Sequence, residues 1–95
     1  MMIWKIWQET NDDYDTFCEA IVVAPDAESA RRIHPASSSY SSYIWSEDRH
    51  CWTHSDGSEV INYDWVLIDD VNVELLGIAT GEPKRQVLCA SFRAG

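Results

Sequence analysis

Basic residues are scarce in this chain: seven Lys and Arg stand against sixteen Asp and Glu, a formal charge of −9. A field of that sign opposes approach to DNA, RNA or anionic lipid, so direct nucleic-acid binding is not expected. Long apolar runs are missing too. No stretch of eighteen apolar residues occurs, and no membrane span is expected. The opening Met1-Met2-Ile3-Trp4-Lys5 lacks the apolar segment and small-residue cleavage site of a secretory signal. Cysteine is limited to Cys18, Cys51 and Cys89, an odd set without Cys-x-x-Cys spacing. Secreted disulfide scaffolds carry an even and denser set, which leaves a reduced, cytoplasmic setting as the expectation. Cys18 and Cys89 fall in apolar segments and read as small buried hydrophobes.

Enzyme signatures are equally absent. There is no Gly-x-Ser-x-Gly, no Gly-rich phosphate loop and no His-Glu-x-x-His. Adjacent acids at Asp12-Asp13, Glu47-Asp48 and Asp69-Asp70 read as solvated loop groups, because a general acid needs burial to raise its pKa. The expectation is a non-enzyme with no catalytic residue and no cofactor. One cluster has zinc-like composition, His50-Cys51-Trp52-Thr53-His54, with His34 elsewhere. A structural site needs two such pairs, and along a strand Cys51 and His54 project to opposite faces. No metal site is expected.

What is present suits one small domain spanning 1–95: 45% apolar and 24% charged residues, near the globular average. A chain of this length buries a thin core within a radius of gyration of roughly 12 Å. Met2 to Gln8 reads as a strand, and Asn11 to Asp15 as a turn. Thr16 to Ala24 is a second strand, apolar on both faces in its later half, as central strands are. Asp26 caps a helix from Ala27 to about Ile33, which Pro35 stops. Ala27, Ala30, Ile33 and His34 lie at helical spacing and would face the sheet. Cys51–Thr53 and Val60–Ile61 flank an Asp56-Gly57 hairpin turn. Tyr63 to Ile68 reads as either a short strand or a helical turn. Val71 to Ala79 alternates at first, then turns wholly apolar at Leu76 and Ile78. Thr80 to Pro83 is a turn, and Gln86 to Phe92 a last strand. The predicted fold is α+β: an antiparallel sheet of four to five strands with one short helix on a face, in β-β-α-β-β order with a hairpin insertion.

The aromatic residues carry the functional signal. Six of the eleven lie between Tyr40 and Trp65, and Tyr40 and Tyr43 are embedded in five serines. Tyr supplies rigid contact area and Ser adaptable hydrogen bonds, as in antibody loops. The alternative is a polar loop whose rings fold back to finish a small core; Trp4 and Trp7 are read as core. The acids gather in loops, Asp12, Asp13 and Asp15 in one and Asp56 to Glu74 in another. They form either a solvated surface or one that docks on a basic groove in place of phosphate. The candidate partner-binding set is Tyr40, Tyr43, Trp45, Asp64, Trp65, Asp69 and Asp70, with Asp12, Asp13 and Asp15 as a separate acidic loop.

Tyr14-Asp15-Thr16, the run from Ala24 through Pro25-Asp26-Ala27-Glu28 to His34-Pro35, and Cys89 to Gly95 give the chain a resemblance. It resembles a family of small proteins carried by bacteriophages, prophages and mobile elements, over most of its length except 36–65. No catalytic motif comes with that likeness, so it assigns no functional residue. The layout and acidity are also similar in size and charge to some anti-CRISPR proteins, which bind a CRISPR–Cas surveillance complex and block DNA access. The resemblance implies a non-enzymatic inhibitor in the host cytoplasm. Its partner would be a protein with a basic surface, a CRISPR–Cas effector among the candidates, and the chain itself a monomer or homodimer. The alternative is an accessory protein-interaction domain, homodimeric or not, unrelated to host defence.

Overall fold

The computed structural model describes residues 1–10, 16–37, 43–60 and 64–79, and the strand at 86–93, where Val87 alone has a described side chain. The turns expected at Asn11 to Asp15 and Thr80 to Pro83 lie outside these residues, as do Tyr40, Asp12, Asp13 and Asp15 from the candidate sites.

β1 (Met2–Trp7) and β2 (Thr16–Ala24) pair antiparallel, with Met2 opposite Ala24 and Trp7 opposite Glu19. Ile6, Ala20, Val22 and Ala24 share the inward face and are buried. Directly opposed residues in an antiparallel pair project to the same side, so one apolar parity on each strand makes one packed face. Gln8 closes the open end: its amide donates to the Phe17 carbonyl at 3.1 Å, and its side-chain oxygen accepts the Thr10 N–H at 2.8 Å. Cys18, expected to be buried, is half-buried. It sits where β2 slips register against its other neighbour, between Phe17 and Glu19.

α1 (Ala27–Arg31) begins as expected, the Asp26 carboxylate accepting the Ser29 N–H at 2.7 Å. It ends short of Ile33. Arg32 and Ile33 donate to the carbonyls three residues back, at 3.2 and 3.1 Å, so the chain tightens before Pro35 and releases His34 from the helix.

β3 (Tyr43–Ser46) and β4 (Cys51–His54) form a separate two-stranded sheet joined by the turn Glu47–His50. β3 departs from the sequence expectation, which had a polar loop here. Its cause is the partner strand: Trp45 lies directly opposite Trp52, and both indoles are buried. His50 closes the turn at a φ of 51°, a left-handed conformation that few side chains adopt. After β4 the Asp56-Gly57 turn forms as predicted, with Gly57 at a φ of 90° and the Val60 N–H returning to the Trp52 carbonyl at 2.9 Å.

A single 3₁₀ turn (Ile68–Asp70) leads into β5 (Asn72–Ile78), and β6 (Gln86–Arg93) is the last described element. The main sheet has the order β5-β1-β2-β6, antiparallel throughout, and the class is α+β. β2 is interior, as its apolar composition required. One cluster runs from Ile6 and Val22 in the sheet through Ala30 of the helix to Trp45, Trp52 and Trp65, uniting both sheets around a common core. The radius of gyration is 12.8 Å.

Candidate functional site

His34 is the hub of the molecule's polar interior. Its side chain is 1% exposed, although imidazole retains two polar nitrogens wherever it is placed. Nδ1 accepts the Ala36 N–H at 3.0 Å, and Nε2 stands 3.4 Å from Oδ1 of Asp64. Asp64 is brought there from far along the chain by its own carbonyl, which accepts the Phe17 N–H of β2 at 2.8 Å. Aromatic rings enclose the imidazole. Tyr43 stacks on it at 4.4 Å between centroids and Trp52 meets it edge-on at 5.0 Å.

Beside this hub lies a cavity of about 210 Å³. His34, Trp52, Val60 and Trp65 form its buried walls, half-buried Cys51 lies between, and Arg49, His50, Glu59 and Leu67 make its exposed rim. Arg49 and His50 on the rim are both engaged: an Nη of Arg49 donates to the Gly57 carbonyl at 2.7 Å, and His50 Nε2 lies 2.6 Å from Asp69 Oδ2. Trp52 Nε1 donates to the Val66 carbonyl at 2.8 Å, whereas Trp65 Nε1 is buried without a partner among the described residues. On the outer side, Arg32 bonds Glu28 and Glu47 together, tying α1 to the β3–β4 turn. Those side-chain hydrogen bonds raise the Arg32 pKa above its ordinary value.

The candidate residues named from sequence therefore separate into two groups. Trp45 and Trp65 are 7% and 4% exposed and belong to the core cluster, so neither ring stands on the outer surface, although Trp65 lines the cavity. Tyr43 is half-buried on His34, and the Asp64 side chain is turned inward beside the same ring. Asp69 and Asp70 are exposed on the 3₁₀ turn. Trp7 also departs from expectation: it lies outside the core cluster, half-buried, with the Lys5 ammonium 5.3 Å from its ring centroid. Among the described residues, no group of three His, Cys, Asp or Glu is placed to hold a metal ion; His50 is turned to Asp69 and Trp45, and His54 to Tyr43.

A surface feature escaped the residue-type argument. Leu75, Leu76 and Ile78 are 51%, 50% and 73% exposed on β5, an edge strand of the main sheet. The pairing with β1 slips between Leu75, opposite Trp4, and Gly77, opposite Ile3, leaving Leu76 as the extra residue. Met1 continues the patch, its carbonyl accepting the Ala79 N–H at 3.0 Å. The signal was the loss of alternation at Leu76 and Ile78, which marks either a strand buried on both faces or an apolar residue left outside.

The chain matches no protein-family model, no curated protein and no solved structure. Among the described residues no helix is long and apolar enough to cross a membrane.

Proposed function

We propose that this protein is a non-enzymatic binding domain that takes up an extended, basic and apolar segment of a protein partner along the β5 edge. The observation that carries this reading is the exposure of Leu75, Leu76 and Ile78 on an edge strand. Such an edge presents backbone donors and acceptors that an added strand can pair, and the flanking apolar side chains supply the burial. The register slip at Leu76 twists the strand, which limits pairing to a short segment. Charge selects the occupant. Asp69, Asp70 and Glu74 are exposed at the beginning of the same edge, and the chain carries −9, so a cationic segment is drawn in and a second acidic copy is repelled.

The narrower form of the proposal is a phage-type inhibitor of a host nucleic-acid-handling defence complex, such as a CRISPR–Cas effector. The resemblance to phage-carried proteins and the acidic edge support it, since carboxylates that engage a basic groove compete with phosphate for it. The alternative, an accessory interaction domain unrelated to defence, shares the same edge.

The test is an NMR titration with synthetic strands of alternating Lys and Val, and of alternating Glu and Val. The Lys peptide is expected to shift the β5 amides, with binding weakened by Leu76→Lys and by the pair Asp69→Asn and Asp70→Asn. Shifts confined to other elements, or equal binding of the Glu peptide, would overturn the reading. Concentration-dependent dimerisation abolished by Leu76→Lys would instead assign the edge to self-association. Simultaneous binding of a basic target to this protein and to its nucleic acid, with affinity flat across salt, would refute the inhibitor form alone.

A further inference from the structure

The cavity beside His34 is separate in chemistry from the β5 edge, and its polar groups can be accounted for one at a time. His34 Nδ1 accepts the Ala36 N–H, and Nε2 faces Asp64 Oδ1 at 3.4 Å, a contact that leaves this oxygen without a hydrogen bond among the described residues. Trp52 Nε1 is spent on the Val66 carbonyl. Val60 has no polar side-chain atom. Within the buried wall, Trp65 Nε1 is left as a donor with nothing to bond among the described residues. A buried N–H without an acceptor is costly, and native structures meet such groups with water or a ligand.

We infer that the cavity is a binding site for a small, planar, uncharged aromatic group bearing a hydrogen-bond acceptor, which the Trp65 indole N–H receives. The size agrees: an apolar cavity of about 150 Å³ holds benzene, and this one, at about 210 Å³, leaves room for a polar substituent. The walls agree as well. Trp52, Trp65 and Val60 give an aromatic and aliphatic lining, with His34, the half-buried Cys51 thiol and the unmet Trp65 N–H as its few polar groups, the composition of small-molecule sites. A charged ligand is not favoured: on the rim Arg49 is bonded to the Gly57 carbonyl, His50 lies against Asp69 and Glu59 is exposed to solvent, while the buried walls carry no free charge. An acceptor is selected, because without one the Trp65 N–H stays unpaired in the complex.

Benzamide, toluene, benzoate and benzylamine serve as probes on the full chain, followed through the indole N–H resonances. Benzamide is expected to move the Trp65 indole proton downfield, and neither charged analogue to bind more tightly than benzamide. Trp65→Phe keeps the ring and removes the donor. It is expected to weaken benzamide on the order of tenfold, the loss of one hydrogen bond, while changing toluene by less than about twofold. Equal losses for benzamide and toluene would overturn the assignment, as would an unmoved Trp65 resonance in the unaltered protein, or tighter binding of benzoate or benzylamine. The unaltered protein keeps the test decisive should Trp65→Phe fold poorly. None of these outcomes bears on peptide binding at β5.

Discussion

His34 Nε2 faces Asp64 Oδ1 across 3.4 Å, and the ring proton lies on that side because Nδ1 is already accepting the Ala36 N–H. The contact joins the end of α1 to the segment preceding the 3₁₀ turn, beneath Tyr43. His34→Ala is expected to cost about 2–5 kcal/mol, since it opens a cavity and strips an inward-turned carboxylate of its neighbour. A fall in the urea midpoint at constant m-value checks it. Tyr43→Ala, which uncovers the other face of the ring, should cost about 2 kcal/mol. An unchanged midpoint would return Tyr43 to the role of a dispensable surface contact.

The paired indoles of the small sheet differ in one atom's fate. Trp52 Nε1 donates to the Val66 carbonyl, while Trp45 Nε1 is buried with no partner among the described residues. Trp52→Phe should therefore be the costlier change by about 1–2 kcal/mol, because it leaves a buried carbonyl unmet whereas Trp45→Phe removes an unmet donor. Parallel denaturation curves of the two variants decide this.

α1 has five residues, too few to persist on helix propensity alone. Its cap should matter accordingly. Asp26→Ala is expected to lose about 1 kcal/mol, and Asp26→Ser most of that loss restored, measured by thermal or urea unfolding.

Asp56 accepts both the hydroxyl and the N–H of Ser58, at 2.6 and 2.9 Å, and these hydrogen bonds hold its carboxylate below the ordinary value of 3.8. A folded pKa below the unfolded one means that the turn gains stability above the unfolded value and loses it as pH falls through the folded one. Side-chain NMR titration should place Asp56 below 3.8, and Ser58→Ala should move it back up. A titration that is the same with and without Ser58 would remove the hydroxyl as the cause.

Local chemistry wrote much of the fold into the chain. Asp26 followed by Ala27-Glu28 announces a capped helix, and Asp56-Gly57 a turn that needs a residue at positive φ. The β-branched and aromatic content of β1 and β2 marks them as strands without reference to distant residues. By itself the sequence determined the α+β class, the first two strands with the capped helix after them, and the interior place of β2. The tertiary structure decided the rest. Tyr43–Ser46 became a strand because Cys51–His54 lies opposite it, and Trp45 and Trp65 went inward because the gap between sheets and helix required their volume. Tyr and Trp carry both an apolar body and a polar tip, so their identity suits core and surface alike. His34 met Asp64 through a backbone bond to β2, and β5 reached the sheet edge through pairing with β1. Contacts between residues that far apart leave no periodic trace in the chain, since they exist only once the strands have chosen their neighbours.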